Sequence, residues 1–209
     1  MTYRAKWLLP VLFVVLATGS AGLTALLMGR GSSEVATIRK VLSIGTANIG
    51  GSFALETADG ETVTDETYRG KWMVIYFGYT FCPDACPTAL NNMSLALQEL
   101  GKDAEKIQPI FITVDPERDT RQVMSAYLES FDHRIVGLTG TRAQTDATAK
   151  TYRVYFALHK DQGENYPVDH SAYFYVMDPD GKFVHVIVGA TPGDEIADKL
   201  RKLIAEHST

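Results

Sequence analysis

The sequence predicts an α/β domain with a central mixed sheet flanked by helices, preceded by one N-terminal transmembrane helix. Two near-continuous apolar runs, "KWMVIYFGY" and "IQPIFITVDP", are typical of strands that are buried on both faces. Segments with helical periodicity alternate with the strands, which indicates a sheet covered on both sides. A late hairpin, "SAYFYVMDPDGKFVHVIVG", turns at Asp178–Gly181 and makes the sheet mixed instead of purely parallel.

Residues 1–30 form the predicted membrane anchor. Trp7–Met28 runs for 22 residues without a charge, and a helix of that length extends about 33 Å, enough to cross a hydrocarbon core of about 30 Å. Arg4 and Lys6 precede it, so we expect a cytoplasmic or matrix N-terminus and an exported remainder. A cleaved signal peptide is the alternative, because small residues follow "WLLPVLFVVL". The apolar run continues past them with "LTALLM", which favours an uncleaved anchor.

The exported part divides into a polar linker, residues 31–44, and one domain, residues 45–209. Removing the three positive charges of residues 1–30 from the overall net charge of −5 leaves −8 for the rest. A nucleic-acid-binding protein needs a basic patch, so this acidic balance argues against that class.

The remaining elements follow in an order that suits a thioredoxin-like domain. An early hairpin surrounds Asp59–Gly60, and an amphipathic helix ends at Gly101 after the first buried strand. Asp119 or Thr120 caps the next helix. A short strand, a third helix, the late hairpin and a closing helix complete the order: "RIVGLTG", "RAQTDATAKTYRV", "SAYFYVMDPDGKFVHVIVG" and "TPGDEIADKLRKLIAE".

Both cysteines of the chain lie in "YFGYTFCPDACPTAL", directly after the first buried strand. Cys82 and Cys86 each precede a proline, which disfavours the α region at both cysteines. Since proline is tolerated in the first helical turn, we predict that the helix begins near Pro87 and that both cysteines lie on the preceding loop. The helix N-terminus would favour their thiolate forms.

The residues alone leave three uses for this cysteine pair. A structural disulfide closes a loop of only about five residues, which contributes roughly 2 kcal/mol. A redox-active pair fits the position, and its disulfide bond is sterically possible. The third use is metal binding. The three intervening residues widen the separation between the thiols, so that both thiolates could face one ion, and soft thiolates select Cu(I) or Zn(II). Two sulfurs are too few for structural zinc, whereas one further ligand would complete a trigonal Cu(I) site.

The further ligand would come from one of five histidines. His170 stands out because it follows a polar loop at the start of an apolar strand, in a hairpin that could place it beside the cysteines. From the pattern alone, a structural role for His170 remains open. Asp169 could orient it, although adjacent side chains on an extended segment point apart. The other four have surface, loop or strand positions: His133, His159, His185 and His207.

Four motifs, "GYTFCPDACP", "VDPERDT", "LTGT" and "VDHSAYFYVMDPDG", resemble the Sco/SenC family over about residues 44–206. The resemblance implies a thioredoxin-like fold related to peroxiredoxins and one copper site, Cu(I) and/or Cu(II), formed by Cys82, Cys86 and His170. It implies a role in assembling the CuA centre of cytochrome c oxidase subunit II. It also implies a single-pass inner-membrane protein with its domain in the periplasm or the mitochondrial intermembrane space.

Three functions follow as hypotheses. The first is a copper metallochaperone without catalytic turnover. The second is a thiol-disulfide oxidoreductase that uses Cys82 and Cys86 as its catalytic pair and reduces the CuA cysteines or another exported partner. The third is a peroxidase, but Thr80 lies only two residues before Cys82, which does not match the Thr/Ser-x-x-Cys spacing of a peroxiredoxin-like site. A requirement for His170 and for metal separates the first function from the second.

Overall fold

The computed structural model describes residues 49–207. The predicted anchor, residues 1–30, and the linker, residues 31–44, lie outside the described residues, as do the first residues of the predicted domain. Within 49–207, no helix combines the length and the apolar character needed to cross a membrane.

Nine strands are present in the described part of the chain. They are β1 Ala54–Thr57, β2 Thr62–Thr64, β3 Trp72–Gly78, β4 Ile107–Thr113, β5 Val136–Thr139, β6 Phe156–Leu158, β7 Val168–His170, β8 Tyr173–Met177 and β9 Phe183–Val188. Seven form the main sheet in the order β2-β1-β5-β4-β3-β8-β9, and β6 pairs with β7 in a separate antiparallel ribbon. In the main sheet β3, β4 and β5 are parallel and the other pairs are antiparallel, so the predicted mixed sheet is confirmed.

Four α-helices accompany these strands in the described residues. They are α1 Ala85–Leu100, α2 Arg121–Leu128, α3 Arg142–Thr151 and α4 Gly193–His207. Helix α1 buries Leu90, Met93 and Leu97, the apolar face that its periodicity predicts. Thr120 is the N-cap of α2, because its side chain accepts a hydrogen bond from the Val123 N–H.

The core lies around the central strands β3 and β4. Every residue of β3 is buried, which requires that other elements cover both faces of the sheet at this position. The two strands run in parallel register from Trp72 opposite Ile107 to Gly78 opposite Thr113. Their carboxyl ends therefore meet at one edge of the sheet, where α/β proteins commonly place functional groups.

Candidate metal centre

Cys82, Cys86 and His170 meet at this edge of the sheet. One ligand atom from each residue lies within 4.8 Å of the other two. The Cys86 Sγ lies 3.3 Å from the His170 Nε2. The fold thus brings His170 to the cysteines across 84 residues of chain, as the hairpin argument predicted.

The two cysteines occupy different environments. Cys82 lies on the loop after β3 and is partly exposed, whereas Cys86 is the second residue of α1 and is fully buried. The prediction that both cysteines lie on the loop is therefore wrong for Cys86. Pro87 stands third in the helix, where a backbone N–H has no intrahelical acceptor, so the helix begins before the proline at no cost in hydrogen bonds.

Backbone geometry holds the two sulfurs together. The Cys86 backbone N–H donates to the Cys82 Sγ across 3.4 Å. Gly78, the last residue of β3, leaves the space for the Cys86 thiol, since a Cβ at this position would lie 2.7 Å from that sulfur and 2.8 Å from the Phe111 ring. The end of the buried strand consequently has no room for a side chain beside Cys86.

Electrostatics separate the two thiols further. A hydrogen bond from the Cys86 side chain lowers the pKa of Cys82 to about 3, against the opposing effect of burial. The same hydrogen bond, followed by burial, raises the pKa of Cys86 well above its usual range. The two shifts favour a thiolate at the partly exposed Cys82 and a protonated thiol at the buried Cys86.

His170 presents a defined nitrogen to the cysteines. It ends β7, opposite Phe156 of β6, and its ring stands nearly perpendicular to the rings of Tyr76 and Tyr79, with centroids 5.9 and 5.8 Å away. The Nδ1 lies 3.3 Å from the backbone carbonyl oxygen of Ser171, which can only accept a hydrogen bond, so Nδ1 carries the proton. The Nε2 is the ring nitrogen that faces the sulfurs.

Asp169 does not orient His170. Its carboxylate pairs with the His159 Nε2 at 2.8 Å, in line with the expectation that neighbouring side chains of a strand point apart. Among the described residues, the metal-binding cluster includes no other histidine: His133, His159, His185 and His207 all lie outside it.

Asp119 anchors the cysteine loop, a role that sequence reasoning missed. The fully buried carboxylate accepts hydrogen bonds from the Thr80 N–H at 3.1 Å, the Thr80 hydroxyl at 2.6 Å and the Thr113 hydroxyl at 2.5 Å. Burial raises the pKa of Asp119. The loop before Cys82 is thereby tied to the end of β4. The sequence offered one indication of this network, since the acidic residues Asp115 and Asp119 closely follow the buried strand β4.

A second buried carboxylate, Asp115, ties the chain before β7 to the same edge. It accepts from the Arg118 Nε at 2.5 Å, from the Arg142 Nη2 at 3.2 Å and from the Tyr166 hydroxyl at 3.0 Å. The Arg118 Nη1 also donates to the Tyr166 carbonyl oxygen at 2.9 Å. Tyr166 lies four residues before His170, so this network holds the chain segment that leads to the histidine.

The donor set suits one soft ion. Two thiolates and one imidazole favour Cu(I), which accepts low coordination, whereas a structural zinc site commonly uses four ligands. The buried Cys86 and the partly exposed Cys82 would leave such an ion accessible from one side only.

Comparison with known proteins gives a consistent picture. A model of the SCO1/SenC family matches residues 42–205. The human protein SCO1 homolog, mitochondrial, is 44% identical over 144 residues, covering 68% of this chain and 48% of the human protein. Protein sco1 of Schizosaccharomyces pombe is 44% identical over 163 residues, covering 76% of this chain and 62% of that protein. The chain thus spans roughly half to three-fifths of the length of these relatives.

Solved structures agree with this result. The copper-bound ScoI of Bradyrhizobium japonicum has a TM-score of 0.69 at 44% identity, covering 74% of this chain and 98% of that chain. Yeast Sco1 with copper bound has a TM-score of 0.70 at 40% identity, covering 76% and 89%. These similarities confirm the thioredoxin-like α/β fold, and the chain belongs to the SCO1/SenC family.

Proposed function

We propose that this protein is a membrane-anchored copper metallochaperone. It binds one copper ion through Cys82, Cys86 and His170 and assists assembly of the CuA centre of cytochrome c oxidase subunit II. The observation that carries the proposal is the convergence of two sulfurs and one imidazole nitrogen within 4.8 Å. Relatives described as copper-bound share the fold and about two-fifths of the residues.

The asymmetry of the site suggests an order of events for the copper cargo. The Cys82 thiolate is accessible and deprotonated, so it meets the incoming ion first. Cys86 binds with loss of its proton, which makes copper affinity depend on pH. His170 contributes its Nε2, the ring nitrogen that faces the sulfurs. An acceptor ligand reaches the ion from the Cys82 side, since Cys86 is buried, and copper leaves by stepwise ligand exchange.

Membrane attachment by residues 1–30 completes the proposal. The apolar run Trp7–Met28 supports an inner-membrane anchor with a cytoplasmic or matrix N-terminus and a domain in the periplasm or the intermembrane space. An anchored domain shares a plane with a membrane-bound acceptor, which raises their effective concentration.

A thiol-disulfide oxidoreductase is the second candidate, favoured by the low pKa of Cys82. The Cys82 thiolate would attack a partner disulfide, forming a mixed disulfide and releasing one partner thiolate. Cys86, after losing its proton, would then attack the Cys82 sulfur and release the second partner thiolate. The Cys82–Cys86 disulfide forms, and the partner gains two electrons.

Anaerobic Cu(I) titration of the detergent-solubilised full chain tests the copper site. We expect one tightly bound ion in the wild type, weaker binding with an altered spectrum in His170→Ala, and wild-type behaviour in His185→Ala, which changes an exposed strand histidine. Unchanged affinity and spectrum in His170→Ala would show the three-ligand site to be wrong.

Copper transfer to an isolated CuA domain, followed by the absorption of that centre, separates the two functions. The metallochaperone delivers copper in a His170-dependent manner. Failure to deliver copper, together with reduction of the domain's disulfide by metal-free protein and by His170→Ala, would establish the oxidoreductase.

A further inference from the structure

A groove of about 370 Å³ lies beside the accessible cysteine. Phe81 and Pro83, the two chain neighbours of Cys82, line it together with Arg118, Asn165 and Tyr166. A side chain bound in this groove would therefore lie next to the thiolate that an incoming copper ligand must approach.

Arg118 supplies the groove with a fixed positive charge. Its guanidinium carbon lies 3.7 Å from the centre of the Tyr166 ring, and its Nε and Nη1 are held by Asp115 and by the Tyr166 carbonyl oxygen. Its side chain is only 14% exposed. The group is thus held in one orientation before any ligand arrives.

One nitrogen of this guanidinium has no hydrogen-bond acceptor within the described chain. The Arg118 Nη2 is buried, and a buried N–H without an acceptor is costly. Asp115 does not fully neutralise the charge of Arg118, because the same carboxylate also pairs with Arg142. Arg142 has two further acidic neighbours, Glu117 and Asp146, whereas Asp115 is the single ion-pair partner of Arg118 within residues 49–207.

Phe81 packs near the same guanidinium from the solvent-exposed side of the groove. Its ring centre lies 5.1 Å from the Arg118 guanidinium carbon, yet 52% of the residue is exposed. Because Phe81 lies outside the core, its side chain can rotate away from the guanidinium without opening the core.

We propose that this groove receives a carboxylate side chain of the copper-transfer partner and so positions the partner's copper ligand at Cys82. The inference rests on the proposed metallochaperone function. A carboxylate matches the unused N–H groups of a guanidinium, and the prolines and aromatic rings provide apolar contacts for its stem. Residues 31–209 carry a net charge of −8, so most of the domain repels an acidic side chain of the partner. The fixed charge of Arg118 therefore favours docking of that side chain in the groove over docking elsewhere on the domain.

The test measures the second-order rate constant of copper transfer from the detergent-solubilised, copper-loaded full chain to a CuA domain at low ionic strength. Asn165→Asp adds a negative charge to the groove at an exposed position, and we expect transfer to slow by about tenfold with unchanged copper affinity. Gln98→Glu adds the same charge on the exposed surface of α1, twelve residues beyond Cys86, and should transfer at the wild-type rate.

Arg118→Gln should slow transfer at least as much as Asn165→Asp, provided that its thermal unfolding is cooperative. In the CuA domain, each Asp and Glu near its copper ligands is changed to the amide. We expect one of these changes to remove the difference between wild type and Arg118→Gln, because the two side chains form one contact.

Two outcomes would overturn the proposal while copper delivery itself stands. They are equal rates for Asn165→Asp, Gln98→Glu and the wild type, and no coupling between Arg118→Gln and any acidic residue of the partner. Absence of transfer by the wild type would instead refute the proposed function, and this inference with it.

Discussion

The two cysteines and the histidine of the candidate site are held by very different parts of the molecule. The cysteine unit consists of β3, the loop after it and α1, and it is anchored in the core, where all of β3 and Cys86 are buried. The histidine ribbon consists of β6 and β7, which pair only with each other and have a single buried residue, Val168. Side-chain and loop hydrogen bonds connect the ribbon to the rest of the fold.

This difference separates two tasks of the proposed site. The cysteine unit holds two sulfurs close together before metal binding, so we expect it to contribute most of the copper affinity of the proposed site. The histidine ribbon completes the coordination from a smaller element with fewer buried contacts, and elements of this kind open locally at lower free energy. A ligand that detaches more readily than the others is suited to stepwise release of copper.

The largest expected effect comes from Cys86→Ala. Removal of one of two soft, charged ligands should weaken Cu(I) binding by more than about 100-fold, and by more than His170→Ala does. Competition with a Cu(I) chelator measures both affinities. Thr88→Ala, an exposed change in the same helical turn, is the control and should bind as the wild type does. An equal loss in His170→Ala would contradict the distinction between the two regions.

A second prediction concerns the pH dependence of Cys82 alkylation in the metal-free protein. Because the pKa of Cys82 is lowered to about 3, its thiolate persists as the pH falls from 8 to 5, so the rate constant with iodoacetamide should stay nearly constant. An ordinary thiol would slow by about tenfold per pH unit over the lower part of that range. Cys86 should remain unmodified, as it is buried and its pKa is raised.

The Cys86→Ala variant sharpens this second prediction. It removes the hydrogen bond that is the main cause of the low Cys82 pKa, so Cys82 alkylation should become steeply dependent on pH. A flat profile in both proteins would show that another group stabilises the Cys82 thiolate.

A third prediction tests the anchoring of the cysteine loop. In Asp119→Asn one carboxylate oxygen becomes an amide nitrogen, which cannot accept the hydrogen bond that the Thr80 or the Thr113 hydroxyl donates at that position. A buried donor left unpaired costs about 1–3 kcal/mol. Urea unfolding should show that loss, and copper affinity should fall by about tenfold. Asp146→Asn is the control, because its carboxylate is exposed and only 3.5 Å from Arg142. Equal stability of both variants would contradict the anchoring role.

The smallest expected effect lies on the exposed face of the histidine ribbon. Asp169→Asn weakens the pair with His159, and exposed ion pairs contribute about 0–1 kcal/mol. We expect copper affinity within about threefold of the wild type and an unchanged urea midpoint. A tenfold loss of affinity would mean that Asp169 controls the orientation of His170 after all.

Local patterns predict much of the framework because they are set by neighbouring residues. The apolar run of β3 and the periodicity of α1 predict elements that the structure contains, and the cysteines follow β3 as expected. The start of α1 is the exception. The restriction before Pro87 predicts a start near the proline, but the first helical turn tolerates residues whose N–H has no intrahelical acceptor, so the helix begins at Ala85.

The partners of the cysteines could not be predicted in the same way. From the sequence, Asp119 is a candidate helix cap and Arg118 is part of a motif. Their roles depend on Thr80 and Tyr166, which are 39 and 48 residues distant, respectively. Nothing in the residues adjacent to Asp119 specifies which loop packs against it. The site at the carboxyl ends of β3 and β4 exists only after those strands pair.

By itself, the sequence determined an acidic α/β domain behind an apolar segment, with two cysteines at the end of a buried strand, because composition and periodicity act over a few residues. Only the tertiary structure decided that His170 lies 3.3 Å from Cys86, that Cys86 is buried while Cys82 is accessible, and that their pKa values separate. Distances, burial and hydrogen bonds between distant residues arise from packing of the whole domain, and they turn three scattered side chains into one candidate site.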